Sequence, residues 1–326
     1  MNIINAFHSR YNDAGTSRMP VLRLDEQNPF TTMNFLKREF RIATAQNRSP
    51  EEVLELWSQV MEVPHLLETA QVSKGVRDSL HGIYTTLEDT DKELWLPEDV
   101  YRFYWAAAGE HGLSPKAFVT LPQPDIQKLD EASDNSIALF TNPLRPLGRV
   151  FNREEVNGLK NWLAQSEKRQ LILDTVYSYQ RGFDATTQEL MDTGQCYIVH
   201  SLSKAWLERG NYGILIPPAN THLDINWRDV LSTPSTESCI SAYTALEQET
   251  DLPYIQQEVF KHTWEKLTPH IQEFAPDFTP PASGYFAAVQ ANAEEVLKQH
   301  NTHIIPASTF GSQNQNISVL SCLHDR

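Results

Sequence analysis

The sequence predicts an α/β protein: a mostly parallel sheet of seven strands covered on both faces, with a smaller α+β domain attached. Three observations carry this. Seven short apolar segments between residues 69 and 216 alternate with stretches of helical period. One of them, Ser136-Ile-Ala-Leu-Phe-Thr141, is a near-continuous apolar run, as a strand buried on both faces requires. After Pro217-Pro218 the pattern changes to long helical stretches followed by short extended pieces.

Taken in order, residues 1–45 are mixed, with an extended piece at 21–25 before the turn-rich Gln27-Asn28-Pro29. Ser49 is placed to cap a helix opening at Pro50, where Glu51 and Glu52 suit the positive end of the dipole. Strands are expected at 69–72, 93–97, 116–121, 136–141, 170–174, 195–201 and 213–216. Helices are expected from Gly75 to Leu87, from Val100 to Gly112 and from Asn152 to Ser166. Beyond residue 220 come two helical stretches, one through Ile240, Tyr243 and Leu246, the other through Ile255, Val259, Trp264 and Leu267. Extended pieces follow at 284–289, 303–305 and 317–320. The expected division is a large domain over 46–218 and a small one made of 1–45 plus 219–326.

Forty-two acidic residues against 27 Lys and Arg give a net charge of −15, which argues against a nucleic-acid partner and for small-molecule work. Three scattered cysteines form neither a disulfide framework nor a zinc pattern. With no apolar leader at the N-terminus and no run of about 18 apolar residues, the expectation is a cytoplasmic protein without a membrane partner. The glycine signatures of dinucleotide and P-loop sites are missing, as are the nucleophile elbow and the zinc-protease helix. Ser201-x-x-Lys204 with Ser133-Asp134-Asn135 imitates penicillin-recognising enzymes, but the order is reversed and the third motif is absent.

The chemistry gathers at two strand ends. The run 196–201 delivers Ser201-Leu-Ser203-Lys204 to the edge of the sheet, where open α/β folds place their sites. A partly buried amine there can form a Schiff base with a carbonyl. Thirty residues earlier the apolar strand Leu171-Ile-Leu173 ends in Asp174, with Tyr177 three residues on. A carboxylate at the end of a buried strand calls for a cation, and a pyridinium nitrogen is one. The plain alternatives are a surface lysine opening a helix and an aspartate capping one.

Asp174-x-x-Tyr177 and Ser201-x-Ser203-Lys204, preceded by Asn142-Pro-Leu-Arg-Pro-Leu-Gly148, resemble the large domain of the class I/II aminotransferases. These are pyridoxal 5'-phosphate enzymes of fold type I. The resemblance covers residues 66–216 in unbroken order and the C-terminal part more weakly. It implies that Lys204 holds the cofactor as a Schiff base and moves the proton. It also implies that Asp174 pairs with the ring nitrogen, Tyr177 with the ring oxygen and Ser201 with the phosphate, and that Tyr101 stacks on the ring. Gly75, Val76 and Arg77 stand where the family's phosphate loop meets a helix N-terminus. A homodimer is implied as well.

Three positions depart from the family pattern. Arg145 stands where the family has an asparagine facing the ring oxygen, with Asn142 three residues earlier; it could serve that oxygen or take a substrate carboxylate. Tyr212 replaces the phosphate-gripping arginine, leaving Arg209 or Arg77 as substitutes. Val319 replaces the arginine that clamps the substrate carboxylate, leaving Arg145 and Arg23 as candidates. At 326 residues the chain is also short for the family, the trimming falling at its two ends. The expected activity is transamination of an amino acid or related amine. Decarboxylation, elimination or cyclisation on the same cofactor is the alternative, and a non-catalytic relative of the fold the third reading.

Overall fold

A computed structural model describes residues 22–32, 47–220 and 225–323; most of the mixed N-terminal stretch of the sequence lies outside them. Within them the chain begins with β1 (Leu22–Arg23). Helix α1 (Pro50–Val60) follows, with Ser49 and Glu52 forming a reciprocal capping box and Val53, Leu54 and Trp57 buried.

The central sheet holds β2 (Gln71–Ser73), β3 (Glu93–Pro97), β4 (Lys116–Phe118), β5 (Ser136–Thr141), β6 (Gln170–Asp174), β7 (Cys196–Ser201) and β8 (Gly213–Ile216). Its order is β2-β8-β7-β6-β5-β3-β4, with every pairing parallel except those of β8, which runs against both neighbours. The sheet is therefore the mostly parallel one expected. Strand alternation divides its side chains between two cores. Ile137, Leu139, Ile172 and Val199 face α2 (Val76–Thr85) and α3 (Phe103–Glu110). Phe140, Leu171, Leu173 and Ile198 face α4 (Arg153–Ala164) and α5 (Ala185–Met191). Asn152 and Glu155 cap α4 reciprocally, and Arg149 holds the Glu155 carboxylate with two bonds of 2.7 Å.

The C-terminal part contains α6 (Thr236–Gln248), α7 (Leu252–Ile271), β9 (Phe286–Gln290), α8 (Ala293–His300), β10 (Thr302–His303), β11 (Ile305–Pro306) and β12 (Ile317–Ser321). β12 is the middle strand of an antiparallel trio with β11 and β9. β1 lies parallel to β10; Leu24 continues that pairing by donating to the His303 carbonyl, and its own carbonyl accepts from the Ser321 N–H of β12. No helix among the described residues is long and apolar enough to cross a membrane.

Several boundaries differ from the expected ones. β4 stops at Phe118, because the N–H groups of Thr120 and Leu121 turn to the buried carboxylate of Asp99 at 2.8–2.9 Å instead of extending the ladder. α3 starts at Phe103 rather than Val100, and α5 was not foreseen at all.

Candidate active site

β5, β6 and β7 run parallel and end side by side, with Thr141 opposite Asp174 and Asp174 opposite Val199. Beyond these ends opens a cavity of about 530 Å³. Asp174, Tyr177, Ser201, Lys204, Tyr101, Gly75, Val76, Arg77, Arg145 and Arg209 all line it, so these sequence-predicted residues are brought together. Asn142 and Arg23 are not among its lining residues. Asn142 is fully buried beneath it, its amide donating to Thr187 (2.7 Å), Thr186 and Asp184 at the start of α5 and accepting from the Phe151 N–H. An amide nitrogen so engaged has no donor left for a ligand. Arg23, the last residue of β1, has its guanidinium paired with Asp25.

Asp174 is almost wholly buried. Its Oδ2 accepts from the Tyr104 hydroxyl at 2.7 Å and its Oδ1 from the Val176 N–H at 3.0 Å. Burial outweighs these bonds and raises the carboxyl to about 6. Lys204 follows β7 on a turn whose backbone is pinned by Gln256 of α7, which donates to the carbonyls of Lys204 (3.2 Å) and Ala205 (2.6 Å). Burial lowers the Lys204 amine to about 8; the nearby charges of Arg145 and Arg77 add to this and Asp174 opposes it. The amine lies 5.3 Å from the centre of the Phe30 ring.

The opposite end of the cavity is built for an anion. Gly75, the N-cap of α2, has φ +95 and no side-chain cap, and a Cβ built on it meets nothing within 4 Å. The first N–H groups of α2 are thus open to a ligand. Ser201 and Ser203 share a hydrogen bond of 2.8 Å beside them, and the exposed Arg77 and Arg209 flank the mouth. Arg77 donates to the Tyr101 hydroxyl at 2.6 Å, and Arg209 donates to the Phe30 carbonyl at 3.3 Å. Tyr212 takes no part, its hydroxyl being spent on the Pro50 carbonyl at 2.7 Å. Val319 is fully buried between Ile305 and Ala288 in the antiparallel trio.

The position of the Gly75 turn depends on Gly213 of β8. A Cβ at Gly213 would stand 2.4 Å from Gly75 Cα and 2.7 Å from Ser73 Oγ. Gly213→Ala is expected to cost about 1–3 kcal/mol of stability, as overpacking against backbone does, readable by denaturant unfolding. An unchanged midpoint would show that the turn can yield.

Sequence reasoning missed Tyr104, Phe30 and Glu208. Tyr104 stands three residues after Tyr101, a helical spacing that was the available signal. Its ring meets that of Tyr101 edge-on at 5.5 Å. Glu208 is buried in the cavity wall, with Oε1 bound by Ser241 and the Gly210 N–H and Oε2 without a partner. Nothing local marks Phe30, which reaches Lys204 from far along the chain.

These residues fit pyridoxal 5'-phosphate. A buried carboxylate with a raised pKa suits a ring cation, an uncapped glycine turn with two hydroxyls suits a phosphate, and an amine lowered towards neutrality lies between them. A family model described as aminotransferase class I and II matches residues 38–322. No curated protein sequence matches the chain. Among solved structures, an Escherichia coli protein identified as having a methionine aminotransferase function superposes with a TM-score of 0.74 at 16% identity, over 100% of this chain and 94% of its own. Aspartate aminotransferases of Thermus thermophilus (a double mutant) and Rhizobium meliloti each give 0.73 at 14% identity, covering 99% and 100% of this chain and 92% of theirs. Such distant likenesses establish the fold, while the family model spans most of the sequence: the chain belongs to the class I and II aminotransferases, pyridoxal 5'-phosphate-dependent enzymes of fold type I.

Proposed function

We propose that this protein is an aminotransferase acting on an amino acid, with Lys204 as the residue that both carries the cofactor and moves the proton at the substrate's α-carbon. The observation that carries this reading is the pairing, across one cavity, of a partly buried amine lowered to about 8 with a buried carboxyl raised to about 6. When bound, the cofactor supplies an electron sink for the bonds at that carbon. Asp174, oriented by Tyr104 and the Val176 N–H, holds the ring nitrogen's proton. The Tyr177 hydroxyl serves the ring oxygen, and Tyr101 covers a ring face. The Gly75 turn, Ser201 and Arg209 hold the phosphate, with Arg77 beside them. In this reading residues 46–218 form the cofactor domain, residues 1–45 with 219–326 the smaller one, and two copies of the chain a cytoplasmic dimer.

The purified protein is expected to be yellow, with borohydride fixing the absorbing group to Lys204. An amino-acid panel offered with a keto-acid acceptor then tests the chemistry, and new amino acid formed from the acceptor supports transamination. Carbon dioxide, ammonia or a cyclised product would instead support lyase or decarboxylase chemistry, the second reading. That reading is favoured by Val319, a buried strand residue where the family grips a carboxylate. A colourless protein that takes up no pyridoxal 5'-phosphate would overturn both.

Tyr104→Phe removes the charge-assisted bond to Asp174 and leaves its carboxylate oxygen buried. Cofactor affinity is expected to fall about tenfold or more, measured by titrating the stripped protein and following absorbance. Unchanged affinity would separate Tyr104 from the site's function.

A further inference from the structure

A second lysine, far from the cavity, is held by neutral oxygens and not by a carboxylate. Lys92 directly precedes β3, at the edge of the sheet where the parallel strands begin, whereas the cavity opens beyond the edge where they end. In the sheet β5 lies between β3 and β6, so the Lys92 side chain reaches across the start of β5 to the start of β6. There Nζ donates to the Lys168 carbonyl at 2.7 Å and to the Gln170 amide oxygen at 2.8 Å.

Two charged groups stand near this nitrogen. The Asp91 carboxylate, which accepts from the Asn135 amide at 2.6 Å, favours the ammonium form, and the Lys168 ammonium disfavours it. No carboxylate among the described residues is bonded to Lys92 Nζ. An ammonium has three N–H donors to satisfy, but a neutral amine has two, and its lone pair then points away from both acceptors. Two carbonyl-type oxygens therefore suit the neutral form, and burial lowers the amine to about 8. Lys92 is nonetheless partly exposed, unlike a sealed core residue.

We propose that Lys92 is a site of covalent modification, its amine taking an acyl group from an activated donor, an acyl phosphate or a thioester. The lone pair adds to the donor's carbonyl carbon, the bond from that carbon to the phosphate oxygen or sulfur breaks, and the amine's proton leaves with the phosphate or thiol. The product amide keeps one N–H where the amine had two, so the link from β3 across β5 to β6 loses one of its two bonds.

The test exposes the purified protein to acetyl phosphate and, separately, to acetyl-coenzyme A between pH 6.5 and about 10, following acetylation of each lysine by peptide mass spectrometry. At about pH 7.5, with at least one donor, Lys92 is expected to react about tenfold or more faster than the exposed Lys261, Lys266 and Lys298. The donor that acts identifies the source of the group. The Lys92 rate is expected to level off above about pH 8, well below the range in which an ordinary lysine does. Gln170→Glu puts a carboxylate of the same shape against the amine, holds it as ammonium, and is expected to slow Lys92 about tenfold while sparing the three reference lysines. Reaction at Lys92 no faster than at the reference lysines with both donors overturns the inference, as does an undiminished rate in Gln170→Glu. If that variant fails to fold, the wild-type rates and their pH profile decide alone.

Discussion

Lys204→Ala is expected to lower turnover by at least about 10³-fold while the circular dichroism spectrum and unfolding midpoint stay close to those of the wild type. The reasoning starts from the amine. Lowered to about 8, roughly one Lys204 in ten is uncharged at pH 7, against about one in three thousand for an ordinary lysine. The uncharged form is the one that can attack a carbonyl and accept a proton. Alanine supplies neither function, and among the described residues the other lysine lining the cavity, Lys74, is exposed at its far end. Steady-state rates with whichever donor and acceptor the panel identifies would measure the loss, and borohydride would no longer fix the absorbing group. Turnover within a few-fold of wild type would remove Lys204 from its role.

Asp174→Asn is expected to act in opposite directions on function and on stability. In the loaded protein, on the proposed reading, removing the anion assigned to the ring nitrogen should cost about 10²–10³ in turnover, because a cationic ring would draw electrons from the substrate. In the cofactor-free protein the buried carboxylate is a burden. Its folded pKa is about 6 against an ordinary 3.8, chiefly through burial. Between those values the folded chain keeps a proton that the unfolded chain releases, so this group's contribution to stability falls as pH rises from about 4 to about 6, by roughly 2–3 kcal/mol. The stripped Asp174→Asn protein should lack this decline and be the more stable of the two at pH 7. Denaturant unfolding of both stripped proteins at pH 5 and pH 7 would show it, and equal stability at pH 7 would mean that the carboxylate is not strained by its surroundings. A residue that weakens the bare fold in return for function is what a tuned site requires.

Legibility in the sequence followed burial. β3, β5, β6 and β8 begin and end where their apolar runs do, because strands in the sheet's interior must be apolar on both faces. β4 pairs on one side only, and its last expected residues turned to Asp99, a preference that no periodicity records. α5 is seven residues long with two buried positions, Thr187 and Leu190, too few to mark a face. In the site, residues on a single loop or strand end, such as Asp174 with Tyr177 or Ser201 with Lys204, were visible because their spacing is local. The Tyr104 bond to Asp174 joins residues 70 apart, and the contact of Phe30 with Lys204 spans still more chain. Asn142 shows the converse: its local setting invites a ligand, and only the fold shows its amide donating to the start of α5.

The pairing of β1 with β10 has a practical corollary. Phe30, which leans over the Lys204 amine, hangs a few residues downstream of a strand clipped to the far end of the polypeptide. Deleting Leu22–Asp25 would unfasten that clip and uncover the amine together. Loss of activity on deleting those four residues would therefore report a lost fastening.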